Sequence, residues 1–476
     1  MAGLASAWRL QRAGVTDFVL LELESEAGGT ARSGRTERIG YPWGAHYLPA
    51  PLASNRALVE LLREMEVVEG IDDTGEPIIA EQFLCRDPQE RIFYRGRWYE
   101  GLYLYAGASD GDLAQLDRFE QEIARWVAWR DGRGRRAFAL PVAAGTDDAE
   151  VTALDRMSMA DWMQQQRFTS PRLQWLVEYA CRDDYGLTTS DTSAWAGLFY
   201  FASRVRQAGA DSQPLITWPE GNGRLVAHLS HPVRDRMRLG TMATAITPAV
   251  REGKRGVDVI ALDASRNRVI GFRADRVIFA APQFLRPYLI RNETGTADFV
   301  KTFEYGAWMV ANLFLRDRPQ SLGFPLAWDN VFYESPSLGY VTATHQRGLD
   351  YGPTVLTYYY PLCDRDPRQA RDRLLSLGRE DWGEVALADF SIAHPGIRSL
   401  VERLDVMRWG HAMIQPRPGF VWGGARQKAA APEGEIHFAH SDLSGVALFE
   451  EAFYHGVRAA EEILAARGLK TESLLS

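Results

Sequence analysis

A short apolar strand that ends on a carboxylate and leads into paired glycines constrains the fold of this chain most. The apolar run covers residues 18–21, Glu22 follows it, and Gly28 and Gly29 come next. The spacing predicts a helix over Leu4–Ala13, just before the strand. A strand this short after a helix and a tight turn is typical of a βαβ unit in a parallel sheet covered on both faces.

Glu22 has a specific chemical interpretation in such a unit. A carboxylate about 20 residues beyond a glycine loop accepts hydrogen bonds from the adenosine ribose of a bound dinucleotide. Gly3 lies nineteen positions before Glu22. The alternative is a solvated glutamate that closes a surface strand. Gly28 and Gly29 favour the dinucleotide interpretation, because a backbone without Cβ atoms can pass close to a pyrophosphate.

Size and composition exclude several classes of protein. A chain of 476 residues exceeds the ~250–300 residues of a single core, so we expect two domains. The net charge of −8 and the lack of a basic stripe argue against a nucleic-acid partner. Uncharged apolar runs fall short of the ~20 residues of a membrane span. Three distant cysteines encode neither a disulfide framework nor a metal site: Cys85, Cys181 and Cys363.

Other segments have clear periodicity. Helical spacing predicts helices over residues 113–127 and 445–467, and Ser158 with Asp161 forms a capping pattern at the start of a third. Apolar or alternating stretches predict four strands, at Val257–Leu262, Arg276–Ala281, Ala307–Leu315 and Thr354–Tyr360.

The segment from Leu20 to Gly34 resembles the N-terminal fingerprint of the flavin-containing amine oxidase superfamily, which includes protoporphyrinogen oxidases and phytoene-desaturase-like enzymes. The stretch IGYPWGAHYLPAPLASNRALVELLREM resembles the family's next element, a loop that passes the isoalloxazine ring. Gly44, Ala45 and His46 are the matching residues. Taken alone, His46 also suits a structural role.

A second match lies near the other end of the chain, in GEIHFAHSDLSGVALFEEAFYHGVRAAEEIL. It resembles the family's C-terminal flavin motif, with Asp442 in the acidic position and Gly456 on the helix. The resemblance implies that Asp442 faces the ribityl or pyrophosphate portion and that the helix start favours the anionic reduced ring. Asp442 is alternatively the N-cap of that helix.

A third match is RADRVIFAAPQFLRPYLI, which resembles the family's strand that ends in Ala-Pro, and RLGTMATAI corresponds to its adenine-contacting strand. The resemblance therefore implies FAD as the cofactor. The residues implied to bind it are Gly3, Glu22, Gly28, Gly29, Arg32, Gly44, Ala45, His46, Ala243, Ala281, Pro282, Asp442 and Ala447.

The implied fold class is α/β, with a Rossmann-like FAD-binding domain of the GR2 type and an interleaved α+β substrate domain. The FAD-binding domain comprises residues 1–50, 215–290 and 420–468. The substrate domain comprises residues 51–214 and 291–419, and residues 469–476 form a tail.

The family's opening pattern, Gly-x-Gly-x-x-Gly, is represented here only by Gly3. The resemblance implies that the first strand and two glycines lie upstream of Met1, and we hypothesise a GTG valine codon read as an initiator. An in-frame stop directly upstream of Met1 in the genomic DNA would remove this explanation. The sequence as given predicts a cytoplasmic protein, and a lost upstream export signal would make it periplasmic.

The substrate side departs from the family. Many members place a lysine near flavin N5, and Val310 stands at about that position. The paired aromatic cage is not recoverable, with Leu448 near one place and Trp422 a candidate for the other. Asp183, beside Asp184, is a candidate for holding a cationic substrate. His345 is a candidate acid or base. The alternative is that these aromatic residues pack a core and the carboxylates pair with arginines.

These features predict an FAD-dependent, amine-oxidase-like oxidoreductase. Hydride would pass from a substrate C–H bond, most often beside nitrogen, to flavin N5, with reoxidation by O2 or another acceptor. The expected partner is a small molecule, with an amine as one candidate, and no metal is expected. The alternatives are a desaturase or isomerase acting on a larger apolar substrate, and a non-catalytic protein with a degenerate flavin fold.

Overall fold

A computed structural model describes residues 1–291, 298–363 and 366–475. The α-helices in these ranges are α1 Ala2–Arg12, α2 Arg56–Glu64, α3 Asp110–Ala128, α4 Ala149–Thr152, α5 Met159–Gln165, α6 Pro171–Tyr185, α7 Ala194–Ala202, α8 Gly223–Ser230, α9 Arg286–Leu289, α10 Pro367–Ser376, α11 Arg379–Ala393, α12 Ile397–Leu400, α13 Ala425–Ala430 and α14 Phe449–Ala466.

The strands in the same ranges are β1 Leu20–Leu21, β2 Ser33–Arg35, β3 Gly40–Pro42, β4 Tyr47–Pro49, β5 Val68–Ile71, β6 Pro77–Ile79, β7 Glu90–Tyr94, β8 Arg97–Glu100, β9 Leu215–Thr217, β10 Met237–Arg238, β11 Thr241–Arg251, β12 Lys254–Asp263, β13 Arg268–Ala274, β14 Val277–Phe279, β15 Tyr305–Leu315, β16 Asp329–Phe332, β17 Gly339–Thr342, β18 Thr354–Pro361, β19 Val401–Ile414 and β20 Ile436–Phe438. The α/β fold class is confirmed.

Two parallel strand pairs and two helices bring the ends of the chain together. β1 pairs with β10 and β14 pairs with β20, both parallel. α1 packs tightly on α14, because a Cβ on Gly456 would lie only 2.4 Å from the carbonyl oxygen of Ala2. The Ser6 hydroxyl donates to the carbonyl oxygen of Gly456 at 2.8 Å. Small residues therefore set the distance between these helices.

A seven-stranded mixed sheet forms the other large element, in the order β19-β15-β18-β17-β16-β7-β8. Side chains alternate across β15. Met309 and Leu313 pack with buried residues of α10 and α11, whereas Trp308 and Val310 pack with Tyr179 of α6. The face with Trp308 and Val310 is the one that borders the candidate site.

The predicted elements are largely observed. The four predicted strands correspond to β12, β14, β15 and β18, and the capping pattern is present, with the Ser158 hydroxyl accepting from Asp161 N at 3.1 Å. The predicted apolar strand at residues 18–21 is shorter, since only Leu20–Leu21 pairs. The domain division stays a prediction. Within the described residues, no helix combines the length and apolar character that a membrane span requires.

Candidate functional site

The candidate site lies where the first turn of α1 is close to the two parallel strand pairs, β1–β10 and β14–β20. A Cβ on Gly3 would lie 3.4 Å from Cβ of Ala280, just past β14, and 3.9 Å from Cδ1 of Leu20 in β1. The start of α1 also lies within electrostatic reach of Glu22. The carboxyl end of a parallel strand and the start of a helix together form the usual dinucleotide site. The start of α1, which carries Gly3, therefore lies near Glu22, and the roles of both residues in binding the cofactor stay predictions.

Glu22 follows β1 and is half-buried. Its backbone continues the pairing with β10, while Oε1 accepts one hydrogen bond, from Glu24 N at 3.0 Å. Gly28 and Gly29 both have positive φ, 124° and 58°. A Cβ on Gly28 would lie 2.9 Å from a methyl carbon of Val226, so this turn requires glycine there.

The predicted ring-facing loop packs directly on that glycine turn. A Cβ on Gly44 would lie 2.3 Å from the carbonyl oxygen of Thr30, and Ala45 N donates to the same oxygen at 3.0 Å. The Arg32 guanidinium lies over the Trp409 ring at 5.3 Å, and Arg32 Nε is buried without a partner. Two segments that are separate in sequence thus form one surface.

Asp442 is buried and has three protein partners. Its Oδ2 accepts from the Tyr305 hydroxyl at 2.6 Å and from Gln283 N at 2.8 Å, and Oδ1 lies 2.9 Å from His440 Nδ1. The backbone after Pro282 is therefore tied to the segment after β20. The predicted contact of Asp442 with the cofactor stays a prediction, and these contacts make it a residue that positions the Ala281–Pro282 loop.

The N-cap alternative for Asp442 is wrong, because α14 begins at Phe449 with Leu448 as its N-cap. The first turn carries Glu450 and Glu451, both buried. Burial raises the pKa of each carboxyl to about 7. Glu451 accepts from Val142 N at 2.7 Å, whereas Glu450 Oε1 has no partner. Ala447, two residues before the helix, is half-buried.

Unpartnered polar groups test whether these residues fit FAD. Gln283, next to Pro282, is fully buried and both atoms of its side-chain amide lack partners. Arg32 Nε, after the glycine turn, and Glu450 Oε1, in the first turn of α14, are also buried without a hydrogen-bond partner. Buried polar groups are normally hydrogen-bonded, so these unpartnered groups are suited to contact a polar ligand. The residues fit a dinucleotide cofactor, and Glu22 with these three segments would hold it.

An aromatic wall lies against the Gly44 loop. The His46 ring stacks on Tyr359 at 4.8 Å and lies 5.4 Å from Trp328, and Tyr47 completes the group. The Tyr359 hydroxyl donates to the carbonyl oxygen of Gly44 at 2.8 Å. Burial lowers the pKa of His46 to about 4, so its ring is neutral at pH 7.

Carboxylates gather beside this wall. Asp184 forms a buried ion pair with Arg204 at 2.6 Å, but Asp183 makes no hydrogen bond or ion pair with any described residue. Burial and the neighbouring Asp184 raise the pKa of Asp183 to about 7. Burial and the charge of Glu90 raise the pKa of Asp329 well above its ordinary value. We call Asp183, Asp329, Glu90 and the aromatic wall the acidic recess.

The other candidates are distributed over the fold. His345 Nε2 lies 2.8 Å from the carbonyl oxygen of Arg86, in the segment just after β17. Trp422 packs edge-on against Trp195 at 5.9 Å, and its backbone N donates to Asp155. Val310 is buried in β15 opposite Tyr359, and Ala243 is half-buried beside a bulge in β11. The roles predicted for these residues stay predictions.

Sequence reasoning missed Glu90, Tyr179 and Gln283. Glu90 and Asp329 are partners on the parallel strands β7 and β16, although 239 positions separate them. No local pattern signals such a pairing. For Gln283 a signal was present, since it directly follows the Ala281–Pro282 match.

Comparison with known proteins agrees with this geometry. The family model for flavin containing amine oxidoreductase matches residues 1–287. No curated protein sequence matches the chain. Among solved structures, wild-type putrescine oxidase bound to putrescine is similar, with 16% identity, a TM-score of 0.68, and coverage of 98% of this chain and 97% of that one.

Two further structures are similar across almost the whole chain. Cyclohexylamine oxidase from Brevibacterium oxydans IH-35A has 13% identity and a TM-score of 0.66, covering 98% of this chain and 97% of that one. A fatty acid isomerase from P. acnes that produces CLA has 14% identity and a TM-score of 0.66, covering 98% and 96%. At these identities the likeness concerns the fold alone.

The family match covers more than half of the chain and includes the Gly3–Glu22 unit, the Gly28 turn, the Gly44 loop and the Ala281–Pro282 segment. The chain therefore belongs to the flavin-containing amine oxidoreductase family, and it is an FAD-dependent oxidoreductase with the amine-oxidase fold.

Proposed function

We propose that this protein oxidises a cationic amine at a carbon next to nitrogen, as an amine oxidase with O2 as the acceptor. The observation that carries the proposal is the acidic recess, which adjoins the Gly44–His46 loop, predicted to face the cofactor ring. Carboxylates and aromatic faces both attract organic cations. FAD, when bound by the residues named above, would supply the redox chemistry: acceptance of a hydride from the substrate carbon and transfer of the two electrons to O2, which would become hydrogen peroxide.

The residues of this chain bind and orient the amine. The neutral His46 ring does not repel an ammonium group. The Tyr359 hydroxyl donates a hydrogen bond to the carbonyl oxygen of Gly44, which fixes the orientation of the Tyr359 ring against the loop. An amine must lose its proton before hydride can leave the carbon. Asp183 is suited to accept that proton, since burial and Asp184 raise its pKa to about 7.

The recess favours an amine over a long apolar substrate. Carboxyl groups that face an apolar chain would lose hydration without gaining a partner, which costs free energy. The desaturase or isomerase alternative therefore has less support than amine oxidation. The non-catalytic alternative has one observation in its favour: the apolar residue Val310 stands at about the position where many family members have a lysine near flavin N5.

The experiment is a visible spectrum of the purified protein reconstituted with FAD. We expect absorbance near ~450 nm that bleaches when a primary amine is added without oxygen and returns with air. A flavin spectrum that no amine bleaches would contradict amine oxidation. A protein that binds no FAD at all would favour the non-catalytic alternative.

A further inference from the structure

We propose that Arg91, on the face of the large sheet opposite the acidic recess, is a positioning residue that supplies the counter-charge for Asp329 and Glu90. Its guanidinium acts on these carboxyls through the sheet and does not contact the substrate. The inference deepens the proposed function, on which its meaning for catalysis rests, because it names a cation that favours the ionised form of the recess.

The β7–β16 pair places the carboxyls on one face of the sheet and Arg91 on the other. Glu90 and Asp329 are Cα partners, and so are the next residues, Arg91 and Asn330. Successive side chains of a strand point to opposite faces of the sheet. The next apolar pair confirms the two faces here, since Ile92 packs in the cluster of Tyr179. Arg91 therefore leaves β7 directly behind the recess.

Arg91 is a fully buried cation whose hydrogen-bond acceptors are neutral groups. Nε donates to Asn330 Oδ1 at 2.6 Å, NH1 to the carbonyl oxygen of Phe324 at 2.9 Å, and NH2 to the Tyr340 hydroxyl at 3.1 Å. Cζ lies 3.7 Å from the centre of the Trp98 ring. Among the described residues, no carboxylate forms an ion pair with Arg91. A buried charge is costly unless another charge compensates it.

The titratable neighbours on the Arg91 face do not supply this compensation. The Tyr340 hydroxyl lies 2.6 Å from His394 Nε2. Burial raises the pKa of Tyr340 to about 12 and lowers the pKa of His394 to about 4, so both side chains are neutral at pH 7. The charge of Asp329 does act on the Tyr340 hydroxyl, to which Arg91 donates. The two faces of the sheet are therefore within electrostatic reach of each other.

The carboxyls in turn need a cation. Burial raises the pKa of Asp329 and of Glu90, and the charge of Glu90 raises that of Asp329 further. In the part of the chain that the structure describes, no lysine or arginine forms an ion pair with either carboxyl. The titratable groups within electrostatic reach of Asp329 are Glu90, Asp183, Cys85, Tyr179, Tyr340 and Tyr359. Arg204, which acts on Asp183, is already paired with Asp184 at 2.6 Å.

Asn330 fixes the position of Arg91 relative to the recess. Its Oδ1 accepts from Arg91, while Nδ2 donates to the carbonyl oxygens of Ala327 at 2.9 Å and Trp328 at 3.2 Å. The same short segment carries Trp328 of the aromatic wall and Asp329. Arg91 is therefore tied to the backbone that presents the carboxylate, and a cation behind the sheet opposes the upward shift of the pKa of Asp329.

The first test measures stability without any amine. The difference in free energy of unfolding between Asp329→Asn and its parent is followed from pH 4 to pH 10 in wild type, Arg91→Lys and Arg91→Met. Because the folded pKa of Asp329 is raised, stability falls as pH rises up to that pKa, and asparagine removes this loss. The pH at which the difference levels off should rise by about one unit in Arg91→Met, a usual shift for a charged neighbour. It should stay unchanged in Arg91→Lys, which keeps the charge.

Arg97→Met is the matched control, because it removes an exposed arginine from the neighbouring strand β8. It should leave the levelling-off pH unchanged. If Arg91→Met does not fold, Arg91→Gln takes its place, since glutamine keeps a hydrogen-bond donor without the charge. A purely structural role would lower the stability of the Arg91 variant and leave the levelling-off pH where it is, and that result would overturn the inference.

The second test joins the inference to the proposed function. With the FAD-loaded protein and an n-alkylamine, the acidic limb of kcat/KM against pH should move up by about one unit in Arg91→Met and not in Arg91→Lys. If no amine is oxidised, amine oxidation is wrong and the stability measurement still decides the role of Arg91. If the stability measurement shows the shift but the acidic limb does not move, the counter-charge stands and the use of the recess in amine oxidation is wrong.

Discussion

Asp183 and Asp184 are neighbours in sequence but differ in chemistry. Asp184 is buried against Arg204, as the expectation that carboxylates pair with arginines implied. Asp183 projects from α6 in a different direction and has no such partner among the described residues. The difference arises because successive residues on a helix point about 100° apart, so one carboxylate meets the cation and the other meets the recess.

Asp183→Asn should raise the free energy of unfolding above about pH 7 and leave it unchanged near pH 4. Burial and Asp184 raise the pKa of Asp183 from 3.8 to about 7 in the folded protein. The folded protein therefore holds more protons than the unfolded chain between these values, and stability falls as pH rises through that window. Asparagine does not ionise, so it removes this loss.

Thermal unfolding of both proteins from pH 4 to pH 8 measures the effect. The difference in unfolding temperature should grow up to about pH 7 and then level off. Asp117→Asn, an exposed control, should show no such growth. Equal unfolding temperatures for Asp183→Asn and wild type at pH 8 would contradict a half-buried carboxylate without a compensating cation.

Gly44→Ala should weaken FAD binding and destabilise the protein by about 1–3 kcal/mol, the usual cost of overpacking. The new Cβ would lie 2.3 Å from the carbonyl oxygen of Thr30, a backbone atom that cannot move without displacing the glycine turn. Gly271→Ala is the control, because no atom lies within 4 Å of its Cβ position. Unfolding temperature and fluorescence titration with FAD measure the two effects, and similar results for both variants would contradict the prediction.

At the scale of elements, the packing of α1 on α14 joins the two ends of the chain. Ser6 hydrogen-bonds across the interface, and Gly456 allows the backbones to approach. Small residues at these positions indicated tight packing from sequence alone. Their partner could not be read from the sequence, because 450 positions separate Ser6 from Gly456.

Gly456→Ala should destabilise the protein by about 1–3 kcal/mol, although alanine normally stabilises a helix relative to glycine. The added Cβ would lie 2.4 Å from the carbonyl oxygen of Ala2 and 2.6 Å from Cβ of Ala5. Gly111→Ala on the exposed side of α3 is the control and should be neutral or stabilising. Denaturant unfolding measures the free energy of unfolding of each variant. If Gly456→Ala raises it, α1 and α14 are farther apart than the structure shows.

At the scale of the whole molecule, the residues predicted to bind the cofactor come from three separated parts of the chain, near Glu22, near Pro282 and before α14. A ligand that contacts all three adds its binding free energy to folding. Buried polar groups such as the Gln283 amide have no protein partner among the described residues, so a bound ligand can satisfy them. We therefore expect stability to depend strongly on the cofactor.

FAD should raise the unfolding temperature, with about 2.7 kcal/mol of stabilisation at a concentration 100 times its Kd. FMN, which lacks the adenosine half, should stabilise less, because Glu22 would have no ribose to bind. Differential scanning fluorimetry with each nucleotide measures this. An equal effect of FMN and FAD would show that Glu22 does not contribute to binding.

The sequence by itself indicated the α/β class and the local turns, because these depend on short-range periodicity and on glycines at close contacts, and the resemblance of three motifs indicated the family. Only the tertiary structure decided which carboxylates share a recess and which are neutralised. Glu90, Asp183 and Asp329 come from a strand, a helix and a second strand that lie far apart along the chain. Burial and mutual repulsion act through space, and no local pattern encodes them.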